Sequence, residues 1–234
     1  DHSTGNATFA GTINGIPFFT DVANNSMYTH DVSGTDNSAA QNTAYGFQAL
    51  DAITTGDDNT AIGFAAGSAI TTGLYNIAIG SYAGDALVGG TKNIAIGYAA
   101  LSSEDAHGLN VAIGYRALQD QNAGADAYNV AVGYQAGKEV TTGIQNTLIG
   151  GNAGDSLTTG RDNVAIGSNT MSTANGSEAR NVAVGTHALA AMDSDGNNYN
   201  TAVGYSAGTA ITTGIRNTVI GGLAGDALAG GDNN

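Results

Sequence analysis

Carboxylates that lie close together are the residues of this chain best suited to chemistry. The segment Asp193-Ser-Asp-Gly-Asn-Asn198 partly matches an oxygen-rich calcium loop, which makes Asp193 and Asp195 candidate metal ligands. Glu104–Asp105 and Asp57–Asp58 are pairs of adjacent carboxylates. No glutamate follows Asp193 at the spacing of a bidentate calcium ligand. Two interpretations stay open, a specific Ca²⁺ site or loose attraction of counter-ions, and we expect no other cofactor.

Residues suited to catalysis are scattered along the sequence. The four histidines share no metal-ligand spacing: His2, His30, His107 and His187. An Ala-Gly-Asp motif recurs about every 70 residues, at Asp85, Asp155 and Asp226. In a stacked repeat these carboxylates would lie about 19 Å apart, too far to act as a pair. We therefore expect no catalytic residues, and the chain is not predicted to be an enzyme.

Two side-chain series could present a regular surface. Thr-Thr-Gly recurs at Thr54, Thr71, Thr141, Thr158 and Thr212, but the intervening repeats lack it, which argues against an ice-binding array. Aromatic residues form a second partial series: Phe47, Phe64, Tyr98, Tyr115, Tyr134 and Tyr205. Exposed rings can stack on sugars, and the alternative is that they cover an alanine-rich wall.

An asparagine-led phrase of five residues sets the frame for all of these groups. It reads Asn, Thr/Ile/Val, Ala, Ile/Val, Gly and returns about every seventeen residues. A short fixed period indicates a solenoid, in which each coil buries its core by stacking on its neighbours. The asparagine amide can bond both the turn and the next coil, and it predicts a ladder of Asn42, Asn59, Asn76, Asn93, Asn110, Asn129, Asn146, Asn163, Asn181, Asn200 and Asn217.

Positions within the coil are counted here from this asparagine as zero. Position four is always glycine, which suits a turn with positive φ or close backbone approach: Gly46, Gly63, Gly80, Gly97, Gly114, Gly133, Gly150, Gly167, Gly185, Gly204 and Gly221. The β-branched residues at positions one and three predict a short strand between asparagine and glycine. The fold class is therefore all-β, a parallel β-solenoid or β-roll of about 17-residue coils.

Alanine at position two predicts how copies of the chain assemble. Side chains alternate along a strand, so positions one and three point one way and position two the other. We interpret the alanine face as the outer wall and as a subunit interface, formed by Ala61, Ala78, Ala95, Ala112, Ala131, Ala165, Ala183 and Ala202. The alternative is an unadorned outer face.

Larger units are visible above the single coil. Position eight alternates large-small-small-large over four coils, which indicates duplication of a block of about 70 residues. Extra residues fall in three polar loops that are candidate contact sites, 119–127, 174–180 and 193–199. Residues 1–41 lie outside the repeat and predict a cap or connector, followed by a repeat domain over 42–234.

Composition limits the partners of this chain. The net charge of −14 disfavours nucleic acid and anionic membranes. No apolar run approaches the roughly 20 residues that span a bilayer, so no membrane insertion is expected. The absence of cysteine excludes disulfides. The chain starts at Asp1 without a signal-like segment, and we expect it to be processed or part of a longer protein.

The phrases Asn59-Thr-Ala-Ile-Gly63, Asn110-Val-Ala-Ile-Gly-Tyr-Arg-Ala-Leu118 and Asn200-Thr-Ala-Val-Gly-Tyr-Ser-Ala-Gly208 resemble repeats of bacteriophage tail-fibre proteins. They are also similar to the Ala-Ile-Gly repeats of trimeric autotransporter adhesin heads, whose coils are shorter. The resemblance implies a β-roll, a homotrimer, and a place on an extracellular fibre of a virion or cell surface.

These observations predict a structural and adhesive fibre protein. The rigid solenoid would be a shaft or head that presents a surface to a host receptor, with a glycan as one candidate. The alternative is an extracellular filament in which the leader strand of one subunit joins the last coil of the next. Phe9, Ile13, Phe18 and Phe19 in the leader motivate that alternative.

Overall fold

A computed structural model describes residues 12–13, 16–17, 19–21, 24–29 and 37–234. Its regular structure is a stack of short parallel strands, one per coil, and the predicted all-β solenoid is confirmed for this part of the chain. The eleven coil strands are β5 Thr43–Tyr45, β6 Thr60–Ile62, β7 Ile77–Ile79, β8 Ile94–Ile96, β9 Val111–Ile113, β10 Val130–Val132, β11 Thr147–Ile149, β12 Val164–Ile166, β13 Val182–Val184, β14 Thr201–Val203 and β15 Thr218–Ile220.

Register is the same at every step of the stack. Position one pairs with position one of the next coil, and the same holds for positions two and three, as in Val130↔Thr147 and Ala131↔Leu148. The side-chain period of a strand is two, so one constant register keeps the same positions on the same face throughout. Eleven coils at about 4.8 Å each give a rod about 50 Å long.

The segment before the repeat contributes four further strands. β1 Thr12–Ile13 and β2 Ile16–Pro17 pair antiparallel with each other. β3 Phe19–Asp21 pairs antiparallel with β4 Ser26–Tyr28, and β4 runs parallel to β5. Tyr28 is buried against the first coil. β3 and β4 extend the sheet beyond β5 at the first edge of the coil stack, while Phe9 and Phe18 lie outside the described residues.

Backbone conformation limits each coil strand to three residues. The residue before each asparagine is left-handed whatever its type, for example Asp58 (φ 59°), Tyr75 (φ 60°) and Tyr128 (φ 54°). The glycine after the strand also has positive φ, 135° at Gly63. A Cβ on Gly63 would lie 2.7 Å from the carbonyl carbon of Gly80 in the next coil. Both predicted reasons for glycine therefore apply, since a φ of 135° lies far from the left-handed region at about 57° that other residues adopt, and the close approach leaves no room for a Cβ.

Two core positions of the coil share the interior. Where position eight is glycine, position eleven carries a large aliphatic residue, as in Gly84 with Leu87. A Cβ on Gly84 would lie 2.7 Å from Leu87 Cδ1, so the glycine makes room for the leucine. Where position eight is large, position eleven is polar or small in some coils and large in others, as in Leu189 with Met192, which are both fully buried. A glycine at position eight therefore goes with a large neighbour, whereas a large residue there does not fix the size of position eleven.

Candidate functional site

The asparagines form the predicted ladder inside the coil. Asn59 Nδ2 donates to Asn42 Oδ1 at 3.1 Å and to the Gly73 carbonyl at 2.8 Å. Its Oδ1 accepts the backbone N–H of Asn76 at 3.0 Å. The eleven ladder asparagines, from Asn42 to Asn217, are at most 1 % exposed. Since each amide satisfies buried backbone groups of its own and the next coil, the ladder is structural and not a ligand site.

One step of the ladder is incomplete. In the regular coils the carbonyl fourteen residues after the asparagine accepts from its Nδ2, as for Asn129 and Gly143. The coil that begins at Asn110 has two extra residues, and Asn110 Nδ2 is buried without a hydrogen-bond partner. The insertion displaces the carbonyl that would accept this bond.

The structure contradicts the predicted direction of the coil strand. The alanines proposed as an interface face the interior and are fully buried within a single chain: Ala61, Ala78, Ala95, Ala112, Ala131, Ala165, Ala183 and Ala202. These positions suit alanine because position two packs in the same narrow core as positions seven, eight and eleven. The interface assignment on these alanines is therefore wrong, and the larger β-branched residues lie outside.

Positions one and three together form what we call the outward strand face. Ile62, Ile149 and Val182 are each more than a third exposed. From β6 to β15 the face consists of Thr60, Ile62, Ile77, Ile79, Ile94, Ile96, Val111, Ile113, Val130, Val132, Thr147, Ile149, Val164, Ile166, Val182, Val184, Thr201, Val203, Thr218 and Ile220. No charged residue interrupts it. Parallel sheets are normally covered on both sides, so this uncovered apolar face is unusual.

An aromatic column runs along one margin of the outward strand face. Tyr98, Tyr115 and Tyr134 are stacked, with centroid separations of 5.4 Å and interplanar angles of 15° and 7°. Toward the other end the column continues through Tyr82, Phe64 and Phe47. Tyr82 is at position six and was not in the predicted series. The rings do not cover an alanine wall, since the alanines lie inside.

The threonine pairs are used internally. Thr54, Thr71 and Thr141 each donate their hydroxyl to a carbonyl of the following coil, at 2.9 to 3.1 Å. These bonds tie successive coils together at the corner opposite the strand. The hydroxyls are therefore engaged with the backbone of the protein.

Asp195, one of the two candidate calcium residues, links the two longest loops of the C-terminal half. Asp195 Oδ1 accepts from the backbone N–H and the hydroxyl of Ser177, at 3.0 and 3.2 Å. Glu178 is fully buried beside this contact, with Oε2 accepting from Gly176 N–H and Oε1 without a partner. Burial raises the pKa of Glu178 above its ordinary value, and the carboxylates of Asp195 and Asp193 raise it further. The loop contact explains Asp195 without a metal.

A different acidic pair lies next to a histidine. Among the described residues, Glu104, Asp105 and His107 are the one group whose carboxylate and imidazole atoms lie within 4.8 Å of one another. Glu104 is fully buried, and burial raises the pKa of its carboxyl above the ordinary value. No metal-ligand spacing that involves His107 was found in the sequence. The signal was present, because Glu104 stands where other coils carry aliphatic residues.

The comparisons with known proteins add no relative: no family model, no curated protein and no solved structure matches the chain. Within the described residues there is also no helix of the length and hydropathy needed to cross a membrane. Function must therefore be argued from the geometry of the solenoid itself.

Proposed function

We propose that this chain is the rigid β-solenoid of a homotrimeric fibre, in which copies pack through the outward strand face. The single observation that carries the proposal is the uncovered apolar face along the whole parallel sheet. The outward strand face is ten strands long and three residues wide, so it measures about 48 by 10 Å, or about 480 Å². That is over half of the roughly 800 Å² that each partner contributes to a standard protein interface, and the aromatic column at its margin would add to the contact.

Charge distribution supports contact between copies. The chain carries a net charge of −14, which opposes association of like surfaces. The outward strand face is a neutral strip, so two or three copies can approach there without bringing carboxylates together. Three such faces around a threefold axis would enclose an apolar core, with the charged corners directed to solvent.

Light scattering tests the assembly. We expect a species near three times 23.1 kDa for the natural chain. Ile96→Glu combined with Ile113→Glu should give a folded monomer, because both side chains point outward and carry no core packing. The control combines Thr72→Glu with Thr213→Glu, which adds the same charge at two exposed positions away from this face. This control variant should remain a trimer. A natural chain that is monomeric would overturn the proposal.

The adhesive part of the function would use the margin of the fibre. The aromatic column ends at Tyr134, since position five of the next coil is Gly151, and Tyr134 is 56 % exposed. Its outer ring face is thus available to stack on a sugar of a host-surface glycan. We expect Tyr134→Ser to reduce binding of the assembled protein on a glycan array, with Tyr128→Ser as the control from another corner. Equal binding by both variants would exclude this contact.

A self-assembling filament is the second candidate, favoured by the open edge at the last strand. Among the described residues β15 pairs only with β14, and Ile220 is 69 % exposed. An unpaired strand edge is a template for pairing with another chain. β3 and β4 pair with their own β5 here, so donation would require exchange between copies. Unchanged filament length after deletion of residues 1–41 would contradict this candidate.

A further inference from the structure

The coil that begins at Asn93 departs from the repeat at two positions that meet in space. Position eleven is aliphatic in the regular coils, for example Ile70 and Leu157, but it is Glu104 here. The third residue before the next asparagine is glycine in seven coils, and here it is His107. A carboxylate and an imidazole thus replace a core hydrocarbon and a turn glycine in one corner.

The geometry of this corner leaves ligand atoms without partners. Glu104 Oε1 accepts the backbone N–H of His107 at 3.2 Å and lies 3.7 Å from its Nδ1. Glu104 Oε2 and His107 Nδ1 are both buried and have no hydrogen-bond partner. The Glu104 side chain is 0 % exposed. A buried carboxylate oxygen and a facing ring nitrogen that are both unsatisfied are costly unless something binds between them.

We propose that Glu104, Asp105 and His107 bind one divalent transition-metal ion, represented by Zn²⁺. One imidazole nitrogen and two carboxylate oxygens are the ligand types of such an ion, whereas Ca²⁺ prefers oxygen alone. Ligand bonds of about 2.0 to 2.2 Å place neighbouring ligands roughly 3.3 Å apart in a tetrahedron, close to the observed separation of Nδ1 and Oε1. Asp105 is exposed, so the fourth ligand would be water and the ion enters from solvent.

Metal binding at position eleven would take the place of the aliphatic packing that the regular coils have at that position. The ion would bind His107 Nδ1 and the Glu104 carboxylate, and it would fix the loop 102–109 to the coil interior. This proposal is independent of the oligomeric state, because all three ligands belong to one coil of one chain.

Titration calorimetry with Zn²⁺, and visible absorption with Co²⁺ as a spectroscopic substitute, test the site on the whole chain. We expect one ion per chain, Co²⁺ bands typical of a four-coordinate site, and a thermal midpoint raised by metal and lowered again by a chelator. His107→Ala should weaken binding at least tenfold. Glu104→Leu restores the residue type of the other coils, so it should fold without metal and lose the binding.

Histidines elsewhere provide the controls. His187→Ala, and His2→Ala combined with His30→Ala, should bind as the natural chain does. Binding that survives both His107→Ala and Glu104→Leu, or the absence of saturable binding by the natural chain, would overturn the proposal. Circular dichroism of each variant separates loss of ligand atoms from loss of fold.

Discussion

At the scale of single residues, the interior of this solenoid depends on polar side chains as much as on apolar ones. Asn146 is an example, because its side-chain amide makes four hydrogen bonds. Its Oδ1 accepts from the backbone N–H and Nδ2 of Asn163, and its Nδ2 donates to Asn129 Oδ1 and the Gly160 carbonyl. Asn146 and its neighbours Asn129 and Asn163 are fully buried, so these bonds satisfy groups that solvent does not reach, and the ladder fixes each coil on the next.

Replacing one ladder asparagine should therefore be costly. We expect Asn146→Ala to lower the free energy of unfolding by about 3 kcal/mol, because it strands a buried N–H and a buried carbonyl. Asn122→Ala is the matched control, since that side chain is exposed. Chemical denaturation of both variants measures the difference. Equal midpoints would show that the ladder contributes little.

Glu178 predicts a pH dependence with a definite sign. Burial raises its pKa in the folded chain, so folding is favoured most where the carboxyl is protonated. The contribution of Glu178 to the free energy of unfolding should be fully present below the ordinary glutamate pKa. It should be lost as the pH rises through the raised pKa of the folded chain. Glu178→Gln removes the charge, so the variant should gain thermal stability over the natural chain at pH 7 but not at pH 4.

The control for this titration is Glu139→Gln, which removes an exposed carboxylate paired with Lys138. This variant should not gain thermal stability at pH 7. A constant difference between Glu178→Gln and the natural chain from pH 4 to pH 7 would contradict the assignment.

At the scale of the strand, packing across the coil decides which side chains fit inside. Position two is leucine or valine only in β11 and β15. There position eight is Gly154 or Gly225, and a Cβ on either glycine would lie 2.8 Å from the Leu148 or Val219 side chain. In the coils with a large residue at position eight, position two is always alanine, because the large residue already fills the space. Four coils with glycine at position eight also carry alanine at position two, as in Ala78 with Gly84.

A matched pair of substitutions tests this rule. Ala78 lies in a coil whose position eight is Gly84, in the same place of the four-coil block as Leu148, so Ala78→Leu should change stability by about 1 kcal/mol or less. Ala112 lies beside Leu118 in the core, and Ala112→Leu should cost more than about 2 kcal/mol through overpacking. Thermal unfolding of both variants gives the comparison. A larger loss for Ala78→Leu would refute the packing rule.

At the scale of the whole molecule, each coil contacts only its neighbours. The strand order of the sheet is the order of the sequence from β4 to β15. Stability is then approximately a sum over coils and their interfaces, as in other repeat proteins. Blocks of coils should therefore be removable when the register is kept.

Deleting residues 129–199 tests this property, since it joins Tyr128 to Asn200 and removes β10 to β13. We expect a folded rod shorter by four coils, about 19 Å, measured by small-angle X-ray scattering or negative-stain images. Deletion of residues 129–207 breaks the phase by half a coil and should disrupt the coils that follow. If both deletions behaved alike, the fold would not depend on the repeat register.

The local chemistry of the coil was predictable because it repeats in the sequence. The period, the strand between asparagine and glycine, the Asn ladder and the reason for Gly63 all follow from hydrogen bonding and backbone conformation within one or two coils. Only part of the candidate metal site at Glu104 could be predicted from the sequence. Its carboxylate stood out, but the proximity of His107 required the turn to be built.

The sequence by itself determined the solenoid, its coil length and its parallel register, since these depend on local spacing. Only the tertiary structure decided which face of the strand is inside. Alternation along a strand separates two faces but does not orient them, and both faces here are apolar. The narrow interior resolves this, because opposing walls leave room for Ala112 and not for Ile113, so the β-branched residues are placed outside.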